Sequence, residues 1–128
     1  MKNKELTLNQ YQEQAMSTCM DSCNNYSYMM DNLVAEVGEF AGKVSKAKRK
    51  GMVRFTEDGN IAFNEDVTIG ERLEFHSELM KEAGDILWQL SGLCHVFGWS
   101  LADVGQGNLD KLASRQRRGV ICGNGDNR

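Results

Sequence analysis

Not one proline occurs in these 128 residues. Proline removes a backbone donor and clashes with the preceding helical turn, so nothing of that kind cuts a helix short here. The apolar residues use that freedom. Met30, Leu33, Val37, Phe40, Ala41 and Val44 recur at the period of one helical face, which predicts a helix from about Tyr26 to Lys50. Its basic end, Lys46, Lys48, Arg49 and Lys50, suits the negative pole of a helix, and Gly51 is a natural stop. Leu79, Ala83, Ile86, Leu90, Cys94 and Phe97, broadened by Leu87 and Leu93, predict a second long helix from near Thr68 to Gly98.

Shorter helices flank this pair. Thr7 and Gln10 have the spacing of a capping box, and Leu8, Tyr11, Ala15 and Cys19 follow at helical intervals. The polar stretch from Asp21 to Asn25 should break that helix. Ser100, with Asp103 three residues on, caps a last helix carrying Leu101, Val104 and Leu112 and ending before Gly119. Between the long helices the pattern changes. Two short apolar runs flank Asp58-Gly59, a dipeptide that favours a tight turn, so residues 52–66 read as a small β-hairpin, the alternative being a mobile loop without a ladder. The glycine-rich residues 120–128 are expected to be extended. The expected fold is all-α: a four-helix bundle with a hairpin insert, in one domain spanning 1–128.

A net charge of −3 gives no reason to expect nucleic acid as a partner. No apolar run approaches the ~20 residues that cross a membrane, and the opening MKNKELTLNQ lacks the apolar stretch of a secretory signal. The cytoplasm is the expected location. Cysteines stand at 19, 23, 94 and 122, with only His76 and His95 to help them hold zinc. Reduced thiols filling core or surface positions are the simpler reading.

The chemistry concentrates in a repeated pattern. Glu36-Val37-Gly38-Glu39-Phe40 and Glu82-Ala83-Gly84-Asp85-Ile86 are each acid, apolar, glycine, acid, apolar. Residues three apart on a helix project from one side, so Glu36 pairs with Glu39 and Glu82 with Asp85, each pair beside an apolar stripe. If the stripes pack together, four carboxylates face one another. Such charges repel, the more so when partly buried, and something must neutralise them. Mg²⁺ is the natural candidate, with Mn²⁺ as a substitute, because it takes hard oxygen ligands and keeps waters that a phosphate displaces. Gly38 and Gly84 each cost a helix interior about 1 kcal/mol relative to Ala, which a close approach of the helices would explain. Against this stands the plainer reading, in which acid pairs of this spacing are solvated.

Positive charge stands where a phosphate would need it. Lys43 lies one turn beyond Glu39, and Asn108, Lys111 and Arg115 share a face of the last helix. Each is also an ordinary surface residue if taken singly. Tyr26, Tyr28, Trp88 and Trp99 are aromatic candidates for stacking on a base, or else core and interface packing. Asn32, one turn before Glu36, either reads a base or is solvated.

With E-x-x-E, E-x-x-D and the N-x-x-K-x-x-x-R of the last helix in view, the chain resembles the all-α nucleoside triphosphate pyrophosphohydrolases, which include MazG, dimeric dUTPases and dCTP pyrophosphatases. The resemblance runs through LVAEVGEFAGKV, KEAGDILWQLSGL and NLDKLASRQRRGVI, roughly residues 8 to 122. The closing GNGDNR is similar to the tail of short, single-domain MazG-like proteins, phage-borne ones among them. The resemblance implies hydrolysis of a (deoxy)nucleoside triphosphate to monophosphate and pyrophosphate, in a bacterial cell or phage-infected host. It implies Glu36, Glu39, Glu82 and Asp85 as metal ligands, Lys111 and Arg115 as phosphate contacts, and a dimer or dimer of dimers whose sites are completed by a neighbouring subunit. Two departures stand out. Ala35 occupies a position where many MazG domains carry a second Glu, which bears on how many metals are held. The insert between the motifs is longer, which bears on substrate access. The competing readings are a catalytically silent nucleotide-sensing module on the same scaffold, and a purely structural helical oligomer.

Overall fold

In the computed structural model, which describes residues 4–128, the first helix begins where the capping box places it. The Thr7 hydroxyl accepts from the Gln10 backbone N–H at 3.1 Å, and the Gln10 side chain accepts from the Thr7 N–H at 2.9 Å. Helix α1 runs Leu8–Met16, shorter than its apolar spacing suggests. A single 3₁₀ turn, Asp21–Cys23, follows, and Asn25 then caps α2, Tyr26–Arg49, through the Tyr28 N–H. Gly51 takes a left-handed φ of 76° at the stop. Residues 1–3 of the polar opening segment lie outside the described residues.

The insert is a hairpin. Strands β1, Val53–Phe55, and β2, Ile61–Phe63, pair antiparallel with Val53 opposite Phe63 and Phe55 opposite Ile61. Residues 56–60 form the connection, in which Gly59 adopts a φ of 82° and Asn60 donates to Asp58 at 3.1 Å. Val53 is buried, and Phe63 meets Phe75 edge-on at 5.7 Å. The hairpin is thereby tied to the start of α3, Ile69–Val96, itself opened by a Thr68–Glu71 capping box.

Helices α2 and α3, about 36 and 42 Å long for 24 and 28 residues, pack antiparallel. Lys43 meets Glu78 and Glu82, Glu36 meets Asp85, and Met29 meets Gly92, so numbers rise along one helix as they fall along the other. α1 packs on the far part of α3. Gln12 is its main fastener: its amide donates to the Ser91 and Trp99 carbonyls at 3.3 and 3.0 Å and accepts from the Leu101 N–H at 3.0 Å. The Trp88 indole N–H adds bonds to Ala15 O and Thr18 Oγ1. α4, Leu101–Arg118, starts at this junction, runs along α1, and ends at Gly119 with a φ of 70°. No helix is long and apolar enough to cross a membrane among the described residues.

Three sequence expectations change. Val37, Leu90 and Phe97 of the apolar stripes are 51%, 38% and 50% exposed, while Glu82, Gln89 and Gly92 are buried. The face that joins α2 to α3 is thus the acid-bearing one, and much of the apolar stripe faces outward. The glycines follow suit: a Cβ at Gly38 or Gly84 would meet open space, so close packing within one chain does not explain them. It explains Gly92, where a Cβ would run into the Met29 side chain, wholly buried at that crossing. Finally, the tail after Gly119 is not extended. Arg128 donates to the Val120 and Ile121 carbonyls at 3.0 and 3.1 Å and also to Gly125 O, drawing the tail into a compact loop.

Candidate metal and nucleotide site

One carboxylate oxygen from each of Glu36, Glu82 and Asp85 lies within 4.8 Å of the others. Helix geometry produces the trio. Glu82 and Asp85 project from one side of α3 by their three-residue spacing, and the antiparallel crossing brings Glu36 of α2 opposite them. Glu36 is half-buried, Glu82 buried and Asp85 exposed, so the cluster grades from the helix interface to solvent. Burial pushes the Glu36 carboxyl above its usual range, helped by the charges of Glu39 and Asp85 and, more weakly, Glu82. Glu39 stands outside the trio, exposed, close enough to act on Glu36.

Two oxygens of this cluster, Glu36 Oε2 and Glu82 Oε2, are buried without a hydrogen-bond partner. A buried polar atom left so costs about 1–3 kcal/mol, more when charged. The residues therefore fit a hard divalent cation: one oxygen from each of three carboxylates gathers within 4.8 Å of the others, close enough to be drawn onto a single ion, and two carboxylate oxygens of the cluster are left unsatisfied by the protein itself.

Lys43 is the protein's own counter-charge. Its Nζ lies 2.7 Å from Glu82 Oε1 and 3.1 Å from Glu78 Oε2, and these acceptors raise its pKa. The sequence reading did not include Glu78, although its place one turn before Glu82 is the available signal. It also passed over Gln89, which continues the face of Glu82 and Asp85 by one turn. Gln89 is 6% exposed, and its Oε1 has no partner. On the other side of the cluster, Lys43 and Glu78 border a cavity of about 460 Å³ between the helices, with Lys46, Lys50, Met52 and Phe75 also on its walls. Its walls come from α2, α3 and Met52 beside the hairpin, which no linear motif joins.

The remaining candidates are dispersed. Asn32 is half-buried, its amide donating to Tyr28 O at 2.9 Å. The Tyr28 hydroxyl sits against the Cys23 thiol, which raises its pKa. Trp88 is half-buried, with its N–H spent on α1. Tyr26 and Trp99 belong to an exposed aromatic group around Phe97, with Trp99 stacked on that ring at 4.7 Å. Asn108 is exposed on α4. Lys111 and Arg115 both contact Asp126 of the same chain's tail, at 3.1 and 2.8 Å. All four cysteines are free, Cys23 and Cys94 buried, Cys122 exposed and Cys19 between these extremes.

Comparison with known proteins adds to this geometry. The family model described as the MazG nucleotide pyrophosphohydrolase domain matches residues 24–120, a span that holds all four motif acids together with Lys111 and Arg115 of α4. The chain is also 39% identical over 108 residues to the Gene 37 protein of Mycobacterium phage L5, covering 84% of this chain and 81% of that protein. No solved structure matches the chain.

Proposed function

The chain belongs to the MazG nucleotide pyrophosphohydrolase family, and on that premise we propose that it hydrolyses a (deoxy)nucleoside triphosphate to the monophosphate and pyrophosphate, for nucleotide-pool control or clean-up. The observation that carries the reading is the Glu36–Glu82–Asp85 trio with its two buried, unpartnered oxygens. Glu36, Glu82 and Asp85 hold Mg²⁺, with Mn²⁺ able to substitute, and Glu39 completes the set from the rim. When bound, the metal polarises phosphoryl oxygens and lowers the pKa of a coordinated water.

The chain's own residues do the rest. Lys43, beside Glu82, holds a cationic Nζ within reach of any phosphate oxygen brought to the acids. Asn108, Lys111 and Arg115 bind further phosphate oxygens. Since their α4 packs on α1 and not on the acid face, these groups serve the acids of a neighbouring subunit. Exposed apolar residues support such an assembly: Val34 and Val37 of α2 and Leu87 and Leu90 of α3 are between 36% and 66% exposed, and a second copy would bury them. The working unit is thus a homodimer or a dimer of dimers in the cytoplasm, where its substrates are. Asn32, Tyr28 and Trp88 contact the base.

The test is a panel of canonical dNTPs and NTPs with Mg²⁺, followed by separation of mono- and diphosphate, phosphate and pyrophosphate. Monophosphate with pyrophosphate, abolished by EDTA, is the expected result. Orthophosphate with diphosphate would assign a different hydrolase, and nucleotide binding without turnover would assign a sensing module.

A further inference from the structure

The tail that leaves α4 lies past the family's matched span, which ends at residue 120, and it does something specific. Asp126 Oδ1 alone receives both Lys111 Nζ, at 3.1 Å, and an Arg115 terminal nitrogen, at 2.8 Å. The tail is built to hold it there. Arg128 closes the loop through three backbone carbonyls, Arg118 donates to Arg128 O at 2.7 Å, and a Cβ at Gly123 would collide with the Arg128 side chain. Gly125 makes the turn before Asp126 with a φ of 74°.

The contact is an incomplete match. Arg115 is 4% exposed, yet its Nε is buried without a partner. A guanidinium presents its donors as a fork that a carboxylate or phosphate fills bidentately. Here one oxygen is shared between two cations, and one prong of the fork goes unused. A phosphate, with three oxygens on one centre, satisfies Lys111 and both prongs together.

We propose that Asp126 is an internal competitor for phosphate: the tail is a strap that occupies the Lys111–Arg115 pair with a carboxylate and must leave before a polyphosphate chain can bind there. This rests on the reading of Lys111 and Arg115 as phosphate-binding groups. The two cations hold the Asp126 carboxyl below its usual range, so it remains charged in neutral solution and competes as an anion. The strap therefore raises the substrate concentration needed for occupancy without contributing to the chemistry.

The experiment is calorimetric titration of inorganic tripolyphosphate into the whole chain in EDTA, where no turnover occurs. Asp126→Asn should bind about tenfold tighter than the parent, of the order expected for removing one charged hydrogen-bond partner. Asp126→Glu should stay near the parent. Lys111→Ala added to Asp126→Asn should erase the gain. Asp110→Asn, the same charge change beside Lys111, should leave affinity unaltered. Affinity unchanged or weaker in Asp126→Asn overturns the proposal. So does a gain that survives Lys111→Ala, or an equal gain in Asp110→Asn, which would reduce the effect to net charge. A parent chain that hydrolyses no nucleotide but shows the tripolyphosphate pattern overturns the proposed activity alone; an active chain without the pattern overturns the strap alone.

Discussion

Each acid of the cluster has a different surrounding, and the differences set what a substitution should do. Glu36 is raised in pKa by burial and by its acidic neighbours; Glu82 is buried and ion-paired with Lys43 at 2.7 Å. Neutralising one acid relieves repulsion among those left while deleting a metal ligand. Glu36→Gln and Asp85→Asn should therefore lose pyrophosphate release by about 100-fold or more, since even outer partners of metal ligands are worth 10- to 100-fold. Their metal-free melting temperatures should equal or exceed that of the parent. Activity assays at matched Mg²⁺ together with thermal melts in EDTA check both halves. Wild-type turnover in either variant removes that acid from the site. Glu39→Gln should behave likewise: its charge acts on Glu36, so its removal should cost activity while the metal-free melting temperature equals or exceeds that of the parent.

Among the elements, the α2–α3 crossing is decided by one glycine that helical periodicity does not single out. Gly92 accommodates the buried Met29, and a methyl group there has nowhere to go. Gly92→Ala should destabilise by about 1–3 kcal/mol, the usual penalty for forcing atoms into a filled space. Gly38→Ala points into open space and should stabilise by up to about 1 kcal/mol through helix propensity. Urea denaturation of the two variants tests the contrast. Equal losses would erase it, and a loss at Gly38 alone would mean that a second chain packs on that face.

At the scale of the whole molecule, the proposed shared site rests on two features of the single chain. Leu109 on α4 is 60% exposed and Val34 on α2 66%, and the α4 cations meet their own tail rather than the acids. In the proposed assembly a second copy would cover this apolar area, whose burial stabilises a domain this small, and would bring its acids to these cations. Light scattering coupled to gel filtration at micromolar concentration should give a dimer or a tetramer. A monomer that hydrolyses nucleotide normally would sink the shared site. A monomer without activity would instead show that assembly and catalysis fail together.

Local signals were enough for much of this protein. The capping box at Thr7, the cap at Ser100, the stops at Gly51 and Gly119 and the hairpin around Asp58-Gly59 depend on residues a few positions apart, so they are legible in a linear sequence. The acid motifs were legible for the same reason, because three-residue spacing on a helix already implies a shared side. What linear spacing does not contain is which face of a helix meets which neighbour. The apolar stripes pointed to a core of their own, yet the crossing set by Met29 and Gly92 places the acid-bearing faces together and turns much of each stripe outward. Glu78, the buried Gln89 and the contact of Asp126 with Lys111 and Arg115 follow from that tertiary placement. They join groups on different elements or turns, and only the folded chain brings such groups within bonding distance.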